Sequence, residues 1–379
     1  MQFNLTRNIL ENYRQQSDTI ADLTVKKLTE EYNNESLWKL YQQLINDLDE
    51  LDYEQLDSTL KTYFIQNQTI PTWANANLVK IAEALFLDIG PVYSACLLCR
   101  ALPIGYSSAK TVKVLTSTGY LSKDVKQGTA KRLLETTQFI FNVMEENTFV
   151  LNSKGIKHIL KVRLLHAIIR YHLLKHNWDE NKYDIPINQE DMAGTILTFS
   201  VGAIKGLQVL NIELSEIEKN ALVHYWAVIG ALIGVDEKLL PQNYTEGEHL
   251  YEKILDHQAK HTPDGEVLTK ALCNFIRGFL PVTGISDFPE YLVQHLINNP
   301  KYSDLIGLHK PRNSKDQLMF GMLMWYLKKL NQYRKKPLTN SLVKKTNKIF
   351  ATKLANYFAN EFEMQLNVPE TIKTAWGLT

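Results

Sequence analysis

The sequence predicts an all-α protein. Apolar residues recur at helical spacing along most of the 379 residues. The short β-branched stretches, such as Thr111 to Leu115, lack the strict alternation of a half-buried strand and stand among helical neighbours. A chain of this length can bury a sizeable core, either in one large domain or in two ordinary ones.

In the N-terminal half, polar and acidic helices come first, with an apolar stripe at Leu37, Leu40, Tyr41, Leu44 and Leu48. After a break around Pro71, a strongly apolar helical region runs from Asn77 to Leu102. We expect this region to be interrupted at Gly90-Pro91, because a proline has no N–H to donate inside a helix. A long helix from Val125 to Met144 follows and ends in a loop at 146–155.

The second half begins with another long helix, from Ile156 to Trp178. Asn188 is expected to cap the next helix, in which Gly202 and Gly206 stand four residues apart and let a neighbouring helix approach closely. Ser215-Glu-Ile-Glu218 is typical of a capping box, and the helix that it opens reaches the glycines at 230 and 234.

The last hundred residues add about three helices and a basic stretch, Lys328 to Lys348. We interpret this stretch as a solvated face, because its charges are spread over several faces and broken by Pro337. There is no internal repeat and no convincing linker. We therefore expect one overall domain, with an N-terminal helical extension over 1–70, a core over 71–281 and a C-terminal helical extension over 282–379.

Composition narrows the functional classes. The net charge of +1 gives no global electrostatic case for binding nucleic acid or an anionic membrane, and no run of about twenty apolar residues predicts a transmembrane helix. The polar N-terminus lacks a signal-peptide pattern, so we expect a cytoplasmic protein, or a secreted one if the natural chain carries a leader. Cys96 and Cys99 have no second C-x-x-C partner, and we interpret them as buried structural thiols.

One polar motif stands inside the second long helix: Arg163-Leu-Leu-His166-Ala-Ile-Ile-Arg170. Both arginines share a face with His166, although the segment is apolar nearly all round and is therefore predicted to be buried. A buried, unpaired guanidinium loses several kcal/mol of solvation, so both arginines need anionic partners. A haem would satisfy the whole motif, with His166 on the iron and the arginines on the propionates. The alternative is a core histidine whose neighbouring arginines pair with Asp or Glu elsewhere in the chain.

The helix from Val125 to Met144 offers a matching polar face, made of Arg132, Glu135 and Thr136 and continued by Phe139. Glu135 stands about eleven residues before the intervening loop and His166 about as many after it, so an antiparallel pair of helices would place them level. One helix could then offer the proximal ligand and the other the distal groups, as in a globin pocket. The alternative is a helix end near the surface with an i, i+3 Arg–Glu pair.

These motifs resemble the family of latex clearing proteins, or rubber oxygenases, and the related MpaB-type oxygenases. The resemblance covers about Pro71 to Pro281. It rests on Arg-x-x-His-x-x-x-Arg at 163–170, on Arg-x-x-Glu/Lys-Thr at 132–136, and on the segment Pro186 to Ser200. It implies a globin-like helical core around haem b, and cleavage of isoprenoid carbon–carbon double bonds by O₂ to give carbonyl ends.

By this resemblance, His166 matches the proximal iron ligand and Glu135 the distal base for an allylic proton. Arg132 and Thr136 match its distal neighbours, and the two arginines at 163 and 170 match those that flank the axial ligand. Desolvation should raise the pKa of Glu135, and Arg132 should pull that pKa down again. Because no export signal is visible, we expect a smaller intracellular isoprenoid, such as a prenyl chain, a terpenoid or a carotenoid-like polyene, rather than extracellular polymer.

Other functions remain open from the residues alone. One is a globin-like haem protein that senses or carries O₂ without cleaving a substrate. A second is a haem-less helical scaffold. A third is a zinc site at His172 and His176, which, with His158, lie opposite His166 and are expected at the helix surface; no acidic third ligand stands nearby in sequence.

Overall fold

The computed structural model describes residues 6–33, 36, 39–40, 56–117, 125–279, 287–309, 314–334, 340–364, 366 and 370–376. Over these ranges the protein is all-α, as predicted, without a strand and with one isolated bridge between Ser108 and Ala259. The apolar stripe predicted at 37–48 lies mostly outside the described residues.

The described helices are numbered here along the chain. They are α1 (Arg7–Arg14), α2 (Thr19–Glu31), α3 (Ser58–Asn67), α4 (Ala76–Cys96), α5 (Leu102–Gly105), α6 (Ala109–Ser117), α7 (Val125–Val143), α8 (Lys154–Lys175), α9 (Glu180–Tyr183), α10 (Gln189–Leu197), α11 (Ala203–Val209), α12 (Glu216–Leu232), α13 (Tyr244–Gln258), α14 (Pro263–Phe279), α15 (Phe288–Ile297), α16 (Pro300–Leu305), α17 (Ser314–Arg334), α18 (Asn340–Phe362) and α19 (Glu370–Trp376). Two π-helical turns, Leu97–Ala101 and Thr198–Gly202, continue α4 and α10, and a 3₁₀ turn spans Glu237–Leu239.

Helix starts follow the local capping chemistry that the sequence predicts. The Asn188 side chain caps α10 by accepting a hydrogen bond from the Asp191 amide at 3.0 Å. Ser215 and Glu218 form the predicted capping box of α12. Ser153 caps α8 in the same way as Asn188 caps α10. The caps at Asn188 and Ser215 need only neighbouring residues, which is why the sequence predicts them.

The helix α4 runs unbroken through Gly90-Pro91, so the predicted interruption is wrong. Pro91 cannot donate to the carbonyl of Leu87, four residues earlier. The indole Nε1 of Trp376 donates to that carbonyl instead, at 2.9 Å. A Cβ atom at Gly90 would lie 2.4 Å from the same indole, so the glycine leaves room for the substitute donor. A residue far along the chain thus compensates for the defect.

The core is built around α12, which packs along α4. The Trp226 Nε1 of α12 donates to the Tyr93 hydroxyl at 2.8 Å, and that hydroxyl donates to the Phe199 carbonyl. A Cβ atom at Gly206 would lie 2.8 Å from the Cβ of Cys96, so the small residue permits close helix packing, as predicted.

The terminal helices share this core. Buried residues from the N-terminal, central and C-terminal helices form one continuous apolar cluster. Two helical stretches, 76–105 and 189–209, are long and apolar enough to cross a membrane by length and composition, but each is mostly buried inside the protein. A buried core helix passes the same test.

Candidate functional site

The helix α8 carries His166 near its middle, surrounded by α2, α7 and α12. The imidazole is partly buried, and its Nδ1 is buried without a hydrogen-bond partner among the described residues. Burial and the positive charge of Arg170 lower the pKa of His166 to about 4, although Asp18 opposes this shift. The ring is therefore neutral at pH 7, which is the form that binds metal ions.

Arg163, one turn before His166, is held by the N-terminal segment. Its guanidinium forms a bidentate ion pair with Asp18, with Nε–Oδ2 at 2.5 Å and Nη2–Oδ1 at 2.8 Å. Its Nη1 donates more weakly to the Leu232 carbonyl at 3.3 Å and to Asn67 Oδ1 at 3.4 Å. Every nitrogen of this buried guanidinium therefore has a protein acceptor.

Arg170, one turn after His166, is satisfied in the same way. Its Nη1 lies 2.5 Å from Oδ1 of Asp22, which stands in the first turn of the helix that Asp18 caps, α2. Its Nε and Nη2 donate to the carbonyls of Pro186 and Ile187 at 3.1 and 2.9 Å. Ile187 has a φ of 53°, an unfavourable conformation for a β-branched residue, so the arginine also secures a strained turn.

These contacts correct the physical inference that Arg163 and Arg170 bind propionates. Both buried guanidiniums have anionic partners, as their desolvation requires, but those partners are Asp18 and Asp22. The sequence holds one weak signal for this pairing, a pair of aspartates at i, i+4 near the N-terminus. Nothing local links it to residues that stand about 150 positions later.

A second ion cluster, also absent from the sequence prediction, anchors α1 nearby. Arg14, which is fully buried, pairs with Asp184 and approaches Glu190 and Asp191 at 3.2 and 2.9 Å. Glu190 in turn accepts a hydrogen bond from His257 Nδ1 at 2.7 Å. The N-terminal segment is thus tied to α8, to α10 and to the strained turn that joins them.

The helix α7 carries the opposing residues. Arg132 Nη2 donates to the hydroxyl of Tyr106 at 2.7 Å, and its guanidinium stacks 5.6 Å from the centre of the same ring. Thr136 donates to the Arg132 carbonyl at 2.8 Å. Tyr106 is buried and was not among the predicted site residues.

Glu135 is partly exposed, with its Oε1 4.0 Å from Lys131 Nζ. Desolvation raises its pKa, and the charges of Lys131 and Lys161 oppose the shift. The raised pKa of Glu135 agrees with the prediction. The prediction that Arg132 opposes this rise is wrong, because Arg132 is turned towards Tyr106 and the opposing charges are those of the two lysines. The predicted alternative of an Arg132–Glu135 surface pair is likewise replaced by the Tyr106 contact.

The register of the two helices follows from one contact. Asn142 Nδ2 of α7 lies 3.1 Å from His158 Nε2 of α8. In an antiparallel pair this contact places position 135 opposite position 165. Glu135 and His166 therefore stand level on neighbouring helices, as the sequence predicted. His158 is buried by the same contact, so its predicted surface position is wrong.

The cysteine pair at 96 and 99 and the histidine pair at 172 and 176 are the other candidate positions in the sequence. Over the described residues, no group of three His, Cys, Asp or Glu side chains could hold a metal ion. Burial raises the pKa of Cys96 to about 12, which fits a structural thiol, and Cys99 is also free and buried. His172 and His176 stack with ring centres 4.2 Å apart at the end of α8.

The chain is similar to a known protein family and to a known enzyme. Residues 96–329 match the model of the family described as ER-bound oxygenase mpaB/B'/rubber oxygenase, catalytic domain. This matched range starts after Pro71 and ends after Pro281, so it differs from the predicted core over 71–281. The domain boundaries given above therefore remain a prediction. The rubber oxygenase of Streptomyces sp. strain K30 is 22% identical over 231 residues, which are 58% of this chain and 54% of the relative. The chain thus matches about half the length of that relative.

A solved structure also has this fold. The latex clearing protein LCP in the closed state superimposes with a TM-score of 0.72 at 17% identity, over 94% of this chain and 95% of the other. The likeness includes the N-terminal and C-terminal helices as well as the matched range. Since the family model covers well over half of the residues, this chain belongs to the mpaB and rubber oxygenase catalytic-domain family.

Proposed function

We propose that this protein is a haem b-dependent oxygenase that cleaves a carbon–carbon double bond of an isoprenoid or related polyene with O₂. One observation carries the proposal: His166, neutral and with a buried, unpaired Nδ1, stands level with Glu135 on the neighbouring helix. A neutral imidazole whose Nδ1 has no hydrogen-bond partner among the described residues could hold a haem iron. Membership of an oxygenase family supports the same reaction class.

The chain's residues would divide the work around the cofactor. His166 would hold the iron, and Arg163 and Arg170 would position His166 by tying α8 to α2. When bound, haem would supply the activation of O₂. Cleavage would place one oxygen atom on each of the two new carbonyl carbons, so no external reductant is needed.

Proton transfer would be the task of Glu135. Its carboxylate would accept an allylic proton from the substrate and later return it, which leaves the proton count unchanged. The raised pKa of Glu135 makes it a stronger base than a solvated carboxylate. Arg132, held by the Tyr106 hydroxyl, would line the same site one turn before Glu135 on α7.

The first test is the visible spectrum of the purified protein after expression with added haem. We expect a Soret band in the wild type, its loss or displacement in His166→Ala, and no change in His172→Ala, which removes an exposed histidine from the same helix. Wild-type protein that takes up no haem would contradict the proposal. Identical spectra for the wild type and His166→Ala would remove His166 as the ligand.

The second test measures cleavage of squalene by mass spectrometry of the carbonyl products, at equal haem content. Loss of a general base lowers kcat by about 10²–10⁴-fold, so we expect a fall of this size in Glu135→Gln. Glu146→Gln, in an exposed position just after α7, should match the wild type. A protein that binds haem and O₂ but leaves squalene and polyisoprene intact would instead be a carrier or a sensor.

A further inference from the structure

The surface of α17 carries a row of exposed apolar side chains that the proposed reaction does not use. Leu318, Met322 and Trp325 stand at i, i+4 and i+7, which places them on one face, and they are 67%, 56% and 64% exposed. Across the helix pair, Tyr326 of α17 contacts Thr346 of α18 at 2.7 Å, and Ile349 on α18 is exposed as well. Elsewhere in the described residues, large exposed apolar side chains stand singly or in pairs.

The same two helices concentrate the positive charge of the chain. The sequence from Ser314 to Phe362 contains ten lysines and arginines but only two acidic residues, whereas the whole chain has a net charge of +1. Lys328, Lys345 and Lys348 are exposed, and Asp316 is buried. The near-neutral net charge of the whole chain therefore conceals a strongly positive region on these two helices. The basic stretch from Lys328 to Lys348, interpreted above as a solvated face, borders the apolar row.

We propose that α17 and α18 form a docking surface for an anionic lipid bilayer. An apolar row flanked by lysines is the pattern of a helix that lies in the membrane interface. Leu318 and Met322 would enter the boundary of the acyl chains, and Trp325 would sit at the headgroup level that tryptophan prefers. The lysines would bind anionic headgroups.

The charge distribution disfavours the other occupants. A second copy of this surface would bring two strongly basic helix pairs together. A nucleic acid would match the lysines but would leave Leu318 and Met322 without apolar contacts. An anionic lipid surface satisfies the charge and the apolar row together, and this inference stands whether or not the proposed reaction is correct.

The test is flotation of the full chain with phosphatidylcholine vesicles, with and without phosphatidylserine. We expect binding to the anionic vesicles and its loss at high salt. Leu318→Ser with Trp325→Ser should weaken binding by at least about tenfold. Lys328→Gln with Lys348→Gln should weaken it about fivefold for each lysine.

The matched control is Ile217→Ser with Val267→Ser, which removes two exposed apolar side chains from other helices and should bind like the wild type. Circular dichroism establishes that each variant is folded. Wild-type protein that floats with neither vesicle would overturn the proposal. So would equal binding by the wild type and the α17 double variant, or light scattering that finds a dimer which the α17 double variant dissociates, since the surface would then bind a second copy.

Discussion

The two facing helices of the site are held in opposite ways. On α8, the arginines on either side of His166 are buried and each of their nitrogens has a protein acceptor. These acceptors include the carboxylates of Asp18, which caps α2, and of Asp22 on α2. On α7, Glu135 is partly exposed, and its Oε1 lies 4.0 Å from Lys131 Nζ. The difference suits the two tasks in the proposed reaction. A metal ligand must keep its position, whereas a base must meet the substrate and exchange a proton.

The largest expected effect comes from breaking the tie between α2 and α8. Asp18→Asn leaves the Arg163 guanidinium buried without its counter-ion, and removing one partner of a buried pair destabilises a protein by about 3–5 kcal/mol. Urea unfolding measures this loss. Asp22, whose side chain is 29% exposed, is the graded control: Asp22→Asn should destabilise less, by about 1–3 kcal/mol. Equal and negligible losses in both variants would mean that α2 does not hold α8.

Changes to the contacts of α7, the helix that carries Glu135, should affect activity more than stability. Tyr106→Phe removes the hydroxyl that orients Arg132, and losing one hydrogen bond to a charged group corresponds to a fall of about tenfold in kcat/KM. Tyr171→Phe, on α8 and away from Arg132, is the matched control. Squalene turnover at equal haem content checks both. Unchanged kcat/KM in Tyr106→Phe would show that Arg132 needs no orientation.

The free energy of unfolding should depend on pH through His257, which contacts Glu11 of the N-terminal segment and Glu190 of α10. The hydrogen bond that His257 donates to Glu190 raises the pKa of His257; burial opposes this rise and Glu11 assists it. The protonated ring therefore stabilises the folded state fully below its ordinary pKa of 6.5, and this stabilisation is lost as the pH rises through the raised value. Urea unfolding of His257→Gln should lack that loss on the alkaline side. A wild type whose stability is flat over this range would contradict the assignment.

The smallest effect should be on the acid limb of the pH–rate profile. A Glu135 base is active when deprotonated, so kcat should rise with pH through its raised pKa. Lys131→Gln removes the charge that opposes the shift most, so the limb should move to higher pH, by a small amount because this pair is exposed to solvent. Lys175→Gln, at the far end of α8, should leave the limb in place. A limb that moves to lower pH would exclude Glu135 as the titrating group.

The sequence predicts those features whose causes lie within a few residues. Helical spacing locates α7 and α8, capping side chains locate the start of α10, and counting from the loop gives the register of Glu135 against His166. It fails where the cause is distant in the chain. The carboxylate partners of Arg163 and Arg170 come from the start of α2, the donor that allows α4 to pass Pro91 comes from Trp376, and His158 is buried against Asn142 of α7. Burial of the arginines was predictable, but the identity of their anions was not.

The hydrogen bond from Trp376 to Leu87 also has a consequence for synthesis. The donor is made 289 residues after the carbonyl that it satisfies. At about 5–20 residues per second, the ribosome needs roughly fifteen seconds to a minute to add them. Throughout that interval the middle of α4 has an unfilled acceptor at Leu87 and an uncovered surface around Phe86, against which Trp376 later packs with ring centres 6.1 Å apart. The nascent chain must therefore keep this apolar helix out of wrong contacts until Trp376 has been added.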